Sequence, residues 1–121
     1  MAIRSFRDLD AYKEALELMK AIHMLIKHFP SEEKYLLIDQ MKRASRVVLS
    51  LIAEGWAKRK LLKEFQKYLR DAIGEANEMT SHLEQSSVLG YVDNQLAQSL
   101  IKRYDHLAGK LTNLKNNWQI F

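Results

Sequence analysis

Among residues whose types could hold a metal or move a proton, the four histidines (His23, His28, His82 and His106) and the clustered carboxylates Asp71, Glu75 and Glu78 stand out. A di-metal site in a helical bundle is built from Glu-x-x-His steps, because residues three apart share one helical face. The residues three before the histidines are Lys20, Leu25, Met79 and Arg103, so that step never occurs. His23 and His28 stand five apart, off the spacing that brings two ligands to one face. His82 follows Glu78 by four and could pair with it, but one pair is not a metal site. His23 reads as a core or interface imidazole. Paired carboxylates do acid–base work only in a cleft that drives their pKa values apart. Asp71, Glu75 and Glu78 fall opposite the apolar stripe of their segment, so they read as a solvated acidic face or as salt-bridge partners for a neighbouring subunit. The serines inside helical patterns lack the glycines of a nucleophile elbow, and no glycine-rich phosphate loop is present. No catalytic residue, metal or cofactor is expected.

The cations carry a stronger signal. Net charge is +4 and the isoelectric point is near 9.3. Residues 42–70 concentrate that charge: Lys42, Arg43, Arg46, Lys58, Arg59, Lys60, Lys63, Lys67 and Arg70 stand against only Glu54 and Glu64. Lys60, Lys63, Lys67 and Arg70 follow 3-4-3 spacing, which puts four cations in one stripe opposite Phe65, Leu69 and Ala72. Like charges at this spacing repel, and cations near a helix N-terminus oppose the dipole. A sequence tuned only for helix stability avoids such a stripe. A polyanion that neutralises it explains it, and phosphate contacts by Lys and Arg supply sequence-independent affinity for nucleic acid. An acidic protein partner and a plain solvated face are the competing readings. Tyr68 and Trp56 lie near the stripe and could stack on unpaired bases, or could anchor the bundle end.

The elements that position this charge are helical. Apolar residues recur at spacings of three and four in four segments, about 6–28, 32–56, 61–89 and 93–117. The expected core stripes are Leu9, Tyr12, Leu16, Met19, His23 and Ile26 in the first, and Leu37, Ile38, Met41, Ala44, Val48, Leu51 and Ile52 in the second. The third offers Leu62, Phe65, Leu69, Ala72, Ile73, Ala76, Met79 and Leu83. The fourth offers Leu96, Leu100, Tyr104, Leu107, Leu111, Leu114 and Trp118. Pro30 breaks the first helix, Ser31 is an expected N-cap, Gly90 an expected C-cap residue and Asp93 an expected N-cap. Strand-like alternation occurs nowhere. Short connections between long helices predict an all-α, up-down-up-down antiparallel four-helix bundle forming one domain over 1–121. A second apolar stripe on helix one (Ala11, Ala15, Leu18, Ile22, Leu25, Phe29), with Leu36, Val47 and Leu49 on helix two, reads either as a wide core face or as a subunit interface. The segment MAIRSFRDLDAYKEA has no apolar h-region, so no secretory leader is expected. No apolar run approaches the roughly 18 residues that span a bilayer, so no membrane association is expected. The absence of cysteine fits a reducing cytoplasm.

Taken in order, FRDLDAYKEALEL, FPSEEKYLLIDQMKRAS, SLIAEGWAKRKLLKEFQKYLRDAIGEANEM and LGYVD make a recognisable set. It includes an aromatic-x-x-Leu start, Phe-Pro-x-x-Glu, Gln-x-x-Arg-Ala, Ile-Ala-Glu-Gly and an Ala-x-Gly step. From about Phe6 to Leu114 the chain resembles the four-helix bundle family of rRNA intervening-sequence proteins, named from reading frames inside insertions of bacterial large-subunit rRNA genes. The resemblance implies a small bacterial cytoplasmic bundle, without enzymatic activity, that assembles into a ring, typically a homopentamer. Similar accessory proteins of diversity-generating retroelements are basic pentameric barrels that bind nucleic acid and a reverse transcriptase, which implies those partners here. The resemblance marks Gln40, Arg43, Glu54 and Gly55 as motif positions and the cations of helices two and three as the nucleic-acid face. Leu49 and Leu51 stand where the family usually carries Pro and Asn, Ala57 where Gly is frequent, and Glu75 where Ser is frequent.

Overall fold

Four α-helices make up the computed structural model, which describes residues 2–118: α1 (Asp10–Leu25), α2 (Leu37–Ala57), α3 (Leu62–Val88) and α4 (Asn94–Asn117). No strand occurs among the described residues. The expected domain limits, residues 1 and 121, lie outside them.

The helix boundaries follow local chemistry. Residues Phe6–Asp8 form a 3₁₀ turn capped by a Ser5–Asp8 capping box, so α1 itself begins at Asp10 rather than near Phe6. Its far end tightens into a second 3₁₀ turn, Ile26–His28, before Pro30. Ser31 opens a third 3₁₀ turn, Ser31–Glu33, and its side chain caps nothing. The α2 start therefore falls at Leu37, later than expected, where a Glu33 carboxylate oxygen accepts from the Leu37 N–H at 3.4 Å. Gly90 does end α3: it adopts φ +79, a conformation only glycine takes without strain. The Gly90 and Tyr91 N–H groups then reach back to the Ser87 and Ser86 carbonyls, a Schellman motif. Asp93 caps α4 by accepting from the Leu96 N–H at 3.3 Å.

Each helix packs on its two sequence neighbours, with α4 closing the bundle against α1. The antiparallel sense shows in the cross-helix pairs. Met41 meets Ser86 while Gly55 meets Tyr68, so α2 and α3 run opposite ways. Gln66 Nε2 donates to the Lys115 carbonyl at 3.3 Å, which sets the start of α3 against the end of α4. Arg103 Nε donates to a Glu14 oxygen at 3.2 Å, which fixes α4 against α1. One continuous core runs through all four helices, with Leu18, Met41, Phe65, Leu69, Leu83, Tyr104 and Leu107 fully enclosed.

On α1 the second stripe, read as a wide core face or a subunit interface, is a core face: Ala11, Ala15, Leu18 and Ile22 are buried, as are Leu9 and Ile26 of the stripe expected inside. Of the stripe expected inside, Leu16 is 42% exposed, His23 is exposed, and Tyr12 and Met19 are half-buried. Both stripes share the helical period, and the chain buries the purely aliphatic one, sparing a phenol and an imidazole the need for partners inside. Helices α2, α3 and α4 bury their expected stripes with local exceptions. Leu62 and Leu96 lie exposed in the first turns of α3 and α4, beyond the reach of the core. Ala97 takes the inward position beside Leu96. Ile38, Leu51, Ile73, Leu114 and Trp118 are half-buried against the core.

Candidate polyanion-binding face

The turn from α2 to α3 is held from beneath by aromatic side chains. Trp118 packs edge-on against Trp56 at 5.7 Å and tilted over Phe65 at 4.7 Å between ring centroids. Its Nε1–H donates to the Arg59 carbonyl at 3.2 Å. Trp56 is therefore an anchor of the bundle end. The Gly55 Cα is close enough to α3 that an added Cβ would sit 3.2 Å from the Tyr68 Cβ, so the missing side chain lets the two helices converge just before the turn.

On this rigid end the nine candidate cations divide into two groups. Arg59 is tied to the fold: its guanidinium stacks on Trp56 at 4.3 Å and donates to the Trp56 carbonyl at 3.1 Å, beside the bond that carbonyl accepts from the Arg59 backbone N–H. Arg43 is tied down as well. It reaches across to α3 and donates to both Glu75 oxygens at 3.3 Å and to Glu78 at 3.0 Å. Arg43 is thus neutralised in place by carboxylates, as the sequence separation of more than thirty residues gave no hint. Lys42, Arg46, Lys58, Lys60, Lys63, Lys67 and Arg70 are exposed. Among the described residues the ion pairs belong to Arg43 and Arg103, and to none of these seven. Lys58, Lys60, Lys63 and Lys67 share the turn and the first half of α3, while Arg70 lines the α2–α3 groove with Leu51, Asp71, Glu75 and Glu78. Arg46 points instead into the α1–α2 groove beside Leu16, Lys20 and His23.

Like-charged i,i+3 and i,i+4 pairs within the strip cost roughly 0.2–0.5 kcal/mol each, offset in part by Glu64 and Asp71, which stand four residues on from Lys60 and Lys67. Of the other motif positions, Gln40 and Glu54 are exposed.

The carboxylates and His82 make a second array at the α2–α3 seam. Burial, reinforced by the adjacent Glu78 carboxyl, raises the Glu75 pKa against the opposing pull of Arg43. His82, 8% exposed, has its pKa lowered by burial, Glu78 opposing and Arg43 assisting. Glu78 and His82, spaced to pair, form no hydrogen bond, and the His82 Nδ1 is a buried atom without a partner. No group of three or more metal-ligating side chains occurs among the described residues. No helix is long and apolar enough to cross a membrane among the residues searched.

The residues that sequence reasoning missed are Glu75 and Glu78 as the clamp on Arg43, and Leu61 as an exposed apolar side chain in the helix-capping position of α3. The second was legible: Leu61 directly precedes the α3 pattern, where Ser, Thr, Asp or Asn is preferred.

No curated protein matches the chain. A family model described as 23S rRNA-intervening sequence protein matches residues 7–113, nearly the whole helical bundle with its turn and cationic strip. By that match the chain belongs to the 23S rRNA-intervening sequence protein family.

Proposed function

We propose that this protein is a non-enzymatic, oligomeric bundle that binds nucleic acid through Lys58, Lys60, Lys63, Lys67 and Arg70. The observation that carries the reading is the run of exposed cations that makes no ion pair among the described residues. Its four flexible lysines suit phosphate oxygens along a backbone, and Arg70 is the one fork-like donor in the set. Binding is thus expected to follow charge density more than sequence. Arg43 and Arg59, both committed inside the fold, leave the binding set and act as structural ties.

A salt titration of labelled RNA and DNA tests this. If four phosphates are neutralised, log K falls against log salt with a slope of about −3 to −4. Combining Lys63→Glu, Lys67→Glu and Arg70→Glu is expected to lower affinity by more than tenfold, with helical content unchanged. Wild-type affinity in that variant would refute the face.

The assembly belongs to the same proposal. An apolar stripe on α1, with Leu16 exposed and Tyr12 and Met19 half-buried, supports a contact between copies. Family resemblance supports a closed ring of five. Light scattering is expected to give a mass five times that of one chain, and a monomer mass at all concentrations would end the ring. The same uncovered stripe favours a second reading, a scaffold that docks a protein partner such as a reverse transcriptase. Salt-insensitive capture of that partner without nucleic-acid affinity would select it.

A further inference from the structure

The nucleic-acid reading leaves Leu61 and Leu62 without a role. They are 61% and 41% exposed at the tip of the α2–α3 turn, between Lys58, Lys60 and Lys63. Fold stability does not explain them. Leu61 is the N-cap of α3 and makes no side-chain cap bond, in the position where leucine is among the poorest choices. Neither leucine belongs to the core or packs against it. Lys63 sits in the first turn of α3, at the positive end of its dipole, where a cation destabilises, although Lys58, the C-cap of α2, is favourably placed. Three local rules are broken together at one protruding point, and such coincidences mark function more than folding.

We propose that this tip is a docking site for an anionic lipid surface, with Leu61 and Leu62 entering the interface while Lys58, Lys60 and Lys63 bind lipid phosphates. Two apolar side chains ringed by cations match the layering of a membrane boundary, hydrocarbon below and negative headgroups above. The opposite end of the bundle makes the contrast. It also exposes apolar side chains, Tyr35, Leu36, Val88 and Leu89, but there Glu32, Glu33 and Asp93 outnumber Lys27 and Lys34, whereas cations predominate around Leu61 and Leu62. The end carrying Leu61 and Leu62 therefore approaches the bilayer, and the long axis of the bundle stands away from it.

Co-sedimentation of the full chain with vesicles tests this, using phosphatidylglycerol mixed with phosphatidylcholine against phosphatidylcholine alone. Wild type is expected to partition onto the mixed vesicles and to remain in solution with the neutral ones. Combining Leu61→Ser with Leu62→Ser is expected to reduce partitioning by about tenfold or more, since both hydrophobic contributions are removed. The same variant is expected to keep wild-type affinity for RNA and DNA, which separates this site from the nucleic-acid strip. Circular dichroism checks that it folds. Absence of binding to the mixed vesicles overturns the proposal. So does equal partitioning of wild type and variant, which would mean charge alone acts. Parallel loss of vesicle and nucleic-acid binding also overturns it, assigning the leucines to the nucleic-acid contact. Failure of the salt titration with vesicle binding intact would instead sink the nucleic-acid reading alone.

Discussion

Three residues show how a single side chain sets local behaviour. Gly55 permits the α2–α3 approach, with 3.2 Å between a built Cβ and the Tyr68 Cβ. Gly55→Leu is expected to destabilise by about 1–3 kcal/mol through overpacking, read as a lower midpoint in urea. Leu61 is the opposite case, a position the fold would improve. Leu61→Ser supplies the missing cap and is expected to raise stability by about 1 kcal/mol, seen as a higher Tm. His82 sets a pH dependence. Its folded pKa lies below the ordinary 6.5 because burial penalises the imidazolium. The unfolded chain therefore binds the proton more readily, and stability falls as pH drops through 6.5 toward the lowered value. Glu75, with its pKa raised, contributes in the opposite sense above 4.5, its carboxylate being disfavoured in the fold as pH rises. His82→Gln is expected to flatten the decline of Tm between neutral pH and the lowered imidazole value, and an unchanged slope would assign the decline elsewhere.

Among the elements, α1 and α3 teach different lessons. Two stripes of equal period on α1 competed for the core, and periodicity alone could not rank them. The outcome followed chemistry: Ala15, Leu18 and Ile22 carry no polar atom to satisfy, whereas Tyr12 and His23 do. Along α3 the carboxylates Glu75 and Glu78 clamp Arg43, while Lys63 and Lys67, nearer its N-terminus, make no ion pair among the described residues. Arg43 is half exposed, so its bridge to Glu75 and Glu78 contributes no more than about 1 kcal/mol. Arg43→Ala is expected to cost that little and to leave nucleic-acid affinity within about twofold, because its charge is already matched. Lys67→Glu, on the outer face, is expected to weaken binding clearly. Equal loss in both variants would return Arg43 to the binding set.

At the scale of the whole molecule, the bundle is polar from end to end. The α2–α3 turn gathers Lys58, Lys60 and Lys63, while the other end presents Glu32, Glu33 and Asp93. Tyr91 helps lock that second end by donating to Glu33 at 2.8 Å and packing on Phe29 at 5.4 Å. The first end is locked by Trp56, Phe65 and Trp118. The cation-rich turn is thus held by packed aromatic side chains, and it is the end that presents the greater positive charge to polyanions. Raising salt from 50 to 200 mM is expected to weaken nucleic-acid binding by at least about tenfold, since several phosphate contacts are lost to counterions. A salt-independent affinity would remove the electrostatic basis of the whole reading.

The sequence by itself determined four helices, the glycine that ends α3, the aspartate that caps α4, and the positions of every lysine and arginine in the strip. These are short-range properties, written in three- and four-residue spacings and in single capping residues. The tertiary structure alone decided which stripe of α1 faces inward, that Leu62 and Leu96 fall outside the core, and that Arg43 is neutralised while Lys63 and Lys67 are not. Each of those depends on what a neighbouring helix places opposite, across separations such as the 32 residues between Arg43 and Glu75, and no local pattern encodes that juxtaposition.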